Sequence, residues 1–317
     1  MRPRTTGVVI LNYGDPADTL GCLGSLEGST DLDLDVVVVH NGPEDDTYRR
    51  LADQIGRRAD LVATGDNLGY AAGNNVGIDR VLGRDCGLVW LLNPDTVVLP
   101  DTLTVLRARL DATPDCGVVG PRLLFPGKPA TIWFDGGLVD TTNAVTRHIS
   151  LGVRERRAPA PQALDVDYVT GASLLVRRSV IEQVGAIPEQ YFLYYEEVDW
   201  CRRIQAAGWR TITDQHARMV HAKRSSGALP MPYYLYYMTR NRFLFAEDCL
   251  GVDGEEALAQ LDADFLDPWR VKVSQRAPDW LPAFDDLVAR AKEDARARVY
   301  GRNDEITNYP AADEVPA

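Results

Sequence analysis

The strongest constraint on this chain is a pattern repeated through roughly its first 120 residues. Short apolar runs rich in β-branched residues alternate with helically spaced stretches, and the runs stop at asparagine or aspartate. Val8–Leu11 is followed by Asn12-Tyr13-Gly14-Asp15-Pro16, and Asp35–His40 by Asn41-Gly42-Pro43. Leu61–Ala63 is a short third run, and Gly87–Leu92 stops at Asn93-Pro94-Asp95. Continuous apolar runs of this length read as strands buried on both faces. Residues 17–28, 44–57 and 70–83 carry helical spacing between them. The alternation predicts an α/β layer fold, a mainly parallel sheet flanked by helices.

Sheets of that kind bind ligands beyond the carboxyl ends of their strands. The clusters Asn12-Tyr13, Asn41-Gly42, Asn67 and Asn93 to Asp95 all fall on that rim. Turns use Asn and Asp in any case. A chain that only needed a core would not need them after every strand.

The regular pattern breaks up after about residue 121. Residues 126–165 are rich in Gly and Pro and read as loops with a hairpin. A strand pair is expected over 166–177, interrupted by Thr170-Gly171-Ala172-Ser173, then a short helix over 178–186 and another over Glu196–Ala207. Ala217–Val220 reads as a strand, 233–250 and 283–299 as helices, and 302–317 as a frayed tail. The expected division is an α/β domain over 1–230 and a helical C-terminal extension over 231–317.

Composition narrows the function. The chain has 317 residues, 45% of them hydrophobic, and a net charge of −12. That suffices for a sizeable core, and the acidity argues against a nucleic-acid partner. A local pocket for one pyrophosphate is still compatible, with a divalent cation supplying positive charge. Cys22, Cys86, Cys116, Cys201 and Cys249 are scattered and form no CxxC pair, so buried reduced thiols are expected. No apolar run approaches a membrane span, and Gly7–Leu11 is too short for a signal-peptide core. A cytoplasmic protein is expected; peripheral membrane contact and self-association are compatible with it.

Four segments carry chemistry. Asn93-Pro94-Asp95-Thr96 places a carboxylate at a strand end, suited to a hard divalent cation, although alone it reads first as an ordinary turn. Tyr191–Tyr195 is an aromatic-rich block followed by Glu196, Glu197 and Asp199 at a helix start. Capping accounts for one or two of these acids; an aromatic wall that raises a carboxyl pKa suits a general base. His221 ends a strand before Lys223-Arg224-Ser225-Ser226-Gly227, where a metal ligand and a phosphate clamp would fit as well as a solvated loop. Asn67–Gly77 holds three glycines near a helix start and is neither a dinucleotide fingerprint nor a Walker loop.

Together these segments resemble the family 2 glycosyltransferases of GT-A fold, in particular the rhamnosyl- and galactofuranosyltransferase-like branch. The matching stretches are Val9–Tyr13, Val37–Gly42, Asn67–Gly77, Leu91–Thr96, Val169–Val176 and Phe192–Gly208, in the family's order. The resemblance implies a nucleotide-sugar donor held by Asn12, Tyr13, Asn41, Asn67, Gly69, Asn74, Asn93 and Asp95. Asp95 is the last position of the family's Asp-x-Asp motif, whose first position is Asn93 here. With His221 it would bind Mg²⁺ or Mn²⁺. The family's Glu-Asp pair becomes Glu196-Glu197, with Glu197 at the position of the base. Trp133, Asp135, Gly136 and Gly137 resemble the loop that shapes the sugar and acceptor site, and Gly171 falls in the same group. The reaction implied is an inverting single displacement from a dTDP- or UDP-linked sugar to a glycan, a lipid-linked sugar or a small-molecule acceptor. Two other readings fit parts of the pattern. A nucleotidyltransferase would carry a basic Gly-rich loop after the first strand, where this chain has acidic Asn12-Tyr13-Gly14-Asp15. A non-catalytic nucleotide-sugar-binding module fits the Asn93 and Glu197 departures.

Overall fold

The computed structural model describes residues 5–31, 33–222 and 229–307. Expected strands and helices alternate through the N-terminal half: β1 (Thr6–Asn12), α1 (Pro16–Leu26), β2 (Leu34–His40), α2 (Asp46–Ile55), β3 (Asp60–Ala63), α3 (Gly69–Leu82) and β4 (Leu88–Leu92). The chain continues through β5 (Thr96–Val98), α4 (Thr102–Ala112), β6 (Cys116–Phe125), β7 (Thr131–Phe134), β8 (Gly137–Asp140), β9 (Val145–His148) and β10 (Ala163–Asp165). Then come β11 (Ser173–Arg177), α5 (Arg178–Val184), α6 (Glu196–Ala206) and β12 (Arg210–His221). A helical C-terminal part holds α7 (Pro232–Phe245), α8 (Gly254–Leu261), α9 (Asp267–Arg276), α10 (Leu281–Arg296) and α11 (Asp304–Thr307).

The sheet runs β10-β12-β6-β11-β4-β1-β2-β3, with β5 also on β12 and β7 also on β6. β1 is parallel to both β2 and β4, β12 is parallel to β6, and β11 runs antiparallel between β4 and β6. The chain builds outward from β1 to β3 and then returns to β4 on the other side of β1. The crevice above the ends of β1 and β4 is therefore a topological switch point, where such sheets bind ligands. Asn12 and Asn93 lie at its two sides.

Val8, Val9, Ile10, Val37, Val38 and Val39 are fully buried, as strands covered on both faces require. Helix α3 lies close on β1: a Cβ on Gly77 would come within 2.3 Å of Val9 Cγ1. The free thiols of Cys22, Cys86, Cys116 and Cys201 are buried and that of Cys249 is half-buried. No described helix is long and apolar enough to cross a membrane.

The structure corrects the sequence reading in its second half. Residues 166–172 form no strand beyond an isolated bridge at Tyr168; β11 alone starts at Ser173. The helix expected to reach residue 250 leaves α geometry at Phe245 and finishes as a π turn over Ala246–Leu250. β12 has twelve residues where only its last part was expected. Its first half buries Thr211, Thr213, Asp214 and Gln215, so polar side chains mask the strand. The 1–4, 223–228 and 308–317 segments, with the expected Lys223–Gly227 clamp and the end of the tail, lie outside the described residues.

Candidate active site

The end of β2 is joined to the ends of β1 and β3 by asparagine side chains. Asn12 is fully buried; its Nδ2 meets His40 Nδ1 at 3.0 Å and its Oδ1 accepts the Thr19 hydroxyl at 2.6 Å. Asn41 Nδ2 donates to Asn67 Oδ1 and to the Gly69 carbonyl, both at 3.0 Å, and Asn41 Oδ1 accepts the Leu68 N–H at 2.9 Å. Asn74 turns back on its own helix, donating to the Tyr70 carbonyl at 2.9 Å. The amides of Asn12, Asn41 and Asn74 thus fix the floor of the crevice. Tyr13, 65% exposed, and half-buried Asn67 are the donor-side candidates at its surface.

At the β4 end, the Asn93 N–H donates to the Ala172 carbonyl at 3.0 Å, and the Thr96 hydroxyl returns to the Asn93 carbonyl at 2.7 Å. That turn presents Asp95. β5 pairs antiparallel with β12, setting Thr96 opposite His221. Register thus brings together two residues far apart in sequence: His221 Nε2 is 3.3 Å from Asp95 Oδ1. The imidazole lies flat on the Trp133 ring, centroids 4.3 Å apart and planes at 7°, and the other edge of Trp133 meets His148. His221 Nδ1 is buried and has no hydrogen-bond partner among the described residues.

This pair fits a divalent cation of the Mg²⁺ or Mn²⁺ kind. One carboxylate and one imidazole are few ligands, and no cluster of three or more His, Cys, Asp or Glu ligands occurs among the described residues. Cations of this kind take one or two protein groups and complete their shell with substrate phosphates and water.

The carboxylate pair sits at the head of α6. The loop before it is held in left-handed backbone conformations at Phe192 (φ 67°), Tyr194 (φ 70°) and Tyr195 (φ 74°), each costing about 1–3 kcal/mol for a non-glycine residue. Gly69 makes the loop's docking feasible: its φ is +83°, and a Cβ there would lie 2.3 Å from the Phe192 carbonyl oxygen. The Tyr70 N–H donates to that same carbonyl at 2.8 Å.

Glu196 and Glu197 each keep one buried carboxylate oxygen without a hydrogen-bond partner among the described residues. Burial, then the charge of Glu197, pushes the Glu196 carboxyl well above its usual range. Burial raises Glu197 too, opposed by backbone N–H groups that include Gly171. Gly171 in turn accepts the Tyr70 hydroxyl at 2.6 Å and leaves no room for a Cβ against that ring. Its neighbour Ala172 carries the bond to Asn93. Glu197 is therefore linked through Gly171-Ala172 to the turn that presents Asp95. The third acid, Asp199, is occupied elsewhere by the Tyr191 hydroxyl at 3.0 Å and a bidentate Arg203.

Asp135 does not join this cluster. It is buried and bound bidentately by buried Arg122 at 2.8 and 2.9 Å, an ion pair beside Trp133 rather than an open ligand group. Two cavities of about 320 and 440 Å³ flank Trp209, at the far end of β12 from His221, and gather none of the expected site residues.

Sequence reading missed Arg240 and Asn241 on α7. Asn241 Nδ2 reaches the carbonyls of Tyr191, Leu193 and Tyr194 at 3.0, 2.7 and 3.0 Å, and Arg240 donates to the Tyr191 carbonyl at 2.8 Å. The signal was present in Arg240-Asn241-Arg242, which with Thr239 makes four polar residues in a row inside an otherwise aromatic and apolar helix. Buried polar groups are there to bond something.

Comparison with known proteins identifies the family and the fold. The pattern of Glycosyl transferase family 2 matches residues 7–185. An N-acetylglucosaminyl-diphospho-decaprenol L-rhamnosyltransferase of Mycobacterium tuberculosis is 28% identical over 265 residues, covering 76% of this chain and 83% of that one. A dTDP-rhamnosyl transferase, RfbF of Shigella flexneri, is 24% identical over 66% of this chain and 69% of its own. The mannosyltransferase PcManGT from Pyrobaculum calidifontis, solved with GDP-Man and Mn²⁺, superposes with a TM-score of 0.55 at 19% identity over 93% of this chain and 88% of that one, the same GT-A fold. The chain belongs to glycosyl transferase family 2 and falls in its rhamnosyltransferase-like branch.

Proposed function

We propose that this chain is an inverting glycosyltransferase that moves a sugar from a dTDP- or UDP-linked donor to an acceptor hydroxyl, with Glu197 as general base. The observation that carries the reading is the Asp95–His221 pair at 3.3 Å, joined by the Asn93–Ala172 bond and Gly171 to the buried Glu197. Glu197 takes the acceptor proton as that oxygen attacks the anomeric carbon; the bond from that carbon to the diphosphate oxygen breaks, and the nucleoside diphosphate leaves. A carboxyl pKa raised by burial suits the role, because a base works best when its pKa approaches the working pH. Asp95 and His221 would hold Mg²⁺ or Mn²⁺, which when bound offsets charge on the leaving diphosphate. Single displacement needs no enzyme nucleophile.

The acceptor class includes glycans, lipid-linked sugars and small molecules. The diphospho-decaprenol in the name of the mycobacterial relative supports the lipid-linked class, and with it a cytoplasmic enzyme working at a membrane surface. The metal assignment is tested by calorimetric titration of UDP and dTDP with and without Mn²⁺. Asp95→Ala should abolish the metal-dependent part of binding. Undiminished metal-dependent binding in that variant removes Asp95 from the site.

A further inference from the structure

Beyond residue 300 the chain returns to the donor side of the sheet. Arg302 Nη1 bonds the Asp66 carboxylate at 2.8 Å and the Asn67 carbonyl at 3.2 Å, reaching the loop after β3. Its Nε faces Asp304 at 2.7 Å. The backbone on either side is anchored: the Gly301 N–H donates to the Gln190 carbonyl at 2.7 Å, and the Gly301 carbonyl accepts Arg240 at 2.7 Å. Asn303 binds the hydroxyls of Tyr236 and Tyr237, both at 3.0 Å. A surface ion pair contributes little to stability, and these anchors hold the guanidinium in one place rather than leaving it on a free tail.

That place is the rim of the sheet beyond the end of β3, where Asn67 is bonded to Asn41 at the end of β2. Tyr13, following β1, is 65% exposed, and Leu68, following Asn67, is 38% exposed. The Tyr13 hydroxyl acts on the Arg302 charge more weakly than Asp66 or Asp304 does. An exposed aromatic ring after β1 and an anchored planar cation on the polar loop after β3 therefore stand along the same rim of the sheet. Flat π systems stack on aromatic rings and on guanidinium planes, and a guanidinium also donates to ring carbonyls.

We propose that the C-terminal segment completes the donor site, with Arg302 covering the nucleobase of a pyrimidine nucleoside diphosphate opposite Tyr13. The inference rests on the donor reading above and adds a recognition residue from outside the segments that carry the family resemblance. Arg302 is a specificity residue here: it touches the base, not the reacting atoms.

The test compares full-length wild type with Arg302→Ala and Arg302→Lys by calorimetric titration of UDP, dTDP and inorganic pyrophosphate in Mn²⁺, with thermal melts as the folding control. Loss of a stacked cation should weaken UDP and dTDP by roughly 5- to 30-fold, leave pyrophosphate unchanged, and raise the donor KM with kcat retained. Arg302→Lys should recover little, because it keeps the charge and loses the plane; it also serves as the test variant if Arg302→Ala melts early. Unchanged UDP affinity in a folded variant overturns the proposal. So does an equal loss for pyrophosphate, or full recovery by lysine, since either makes Arg302 a simple charge. If wild type binds neither nucleotide, the donor reading falls with it; if wild type binds and the variants match it, only the role of Arg302 falls.

Discussion

The two sides of the crevice differ in how far their buried polar groups are bonded to one another. On the side proposed for the donor, most polar groups are bonded to one another, Asn12 to His40 and Thr19 and Asn41 to Asn67 and Gly69, with His40 Nε2 the exception. On the side proposed for catalysis, positive-φ Phe192, Tyr194 and Tyr195 precede Glu196 and Glu197, each of which has one buried carboxylate oxygen without a partner among the described residues, and His221 Nδ1 lacks one there too. Satisfied buried polar networks rigidify a structure, and unsatisfied groups and strain gather where chemistry is done. Under the proposed function, the contrast separates a floor that would fix the donor from a wall that would hold the reacting groups. It also predicts that damage to the two sides differs in kind.

The largest effect should come from the wall. Glu197→Gln keeps the shape and removes the proton acceptor, so kcat should fall by about 10²–10⁴-fold while UDP or dTDP titrations in Mn²⁺ give the wild-type affinity. If turnover survives, the carboxylates are a helix cap and the contrast collapses. If nucleotide binding is lost as well, the two sides are not separable.

Next come the scaffolds. Asn241→Ala leaves the carbonyls of Tyr191, Leu193 and Tyr194 without their shared donor. A shift of the loop by about 1 Å costs on the order of 100-fold, so kcat should drop roughly 10- to 100-fold with a smaller change in donor KM. Asn12→Ala strands His40 Nδ1 and the Thr19 hydroxyl instead, costing about 1–3 kcal/mol of stability. Its kinetic mark should be donor KM, with kcat nearly kept. Steady-state kinetics on both variants decide the matter; interchanged signatures would mean that floor and wall have been assigned the wrong way round.

The same contrast explains what the sequence made legible. Buried parallel strands require continuous apolar runs, so β1, β2 and β4 were visible, and with them the rim of Asn12, Asn41 and Asn93 to Asp95. Composition cannot show whether an asparagine on that rim faces a ligand or its neighbours, and Asn12 and Asn41 turn inward. The meeting of Asp95 with His221 depends on β5 pairing with β12, and half of β12 was hidden by its buried Thr, Asp and Gln residues. Asp135 shared a loop with Trp133 in sequence, but Arg122 on the neighbouring strand β6 claims it. Long-range pairings of this sort have no local signature. The Arg240-Asn241-Arg242 run had one, and Asn241 answers it with three carbonyls.

The smallest predicted effect tests whether the unpartnered oxygens of the wall carry a cost. Folding raises the Glu196 carboxyl pKa well above its ordinary 4.5, through burial first and the Glu197 charge second. A raised carboxyl pKa means that, between the unfolded and folded values, the native state binds more protons than the unfolded chain. Stability therefore falls as pH rises through that window, and the loss is complete above the folded value. Gln cannot ionise, so Glu196→Gln escapes this loss. Melting curves of the two proteins should coincide near pH 4, where both side chains are neutral, and separate toward pH 8 with the variant more stable by roughly 2 °C, the shift expected from about 1 kcal/mol in a chain of this size. The competing influence is the start of α6, where a negative charge is favoured by about 0.3–1 kcal/mol. If the variant is the less stable protein at pH 8, that attraction outweighs burial, and Glu196 belongs with the bonded floor rather than with the strained wall.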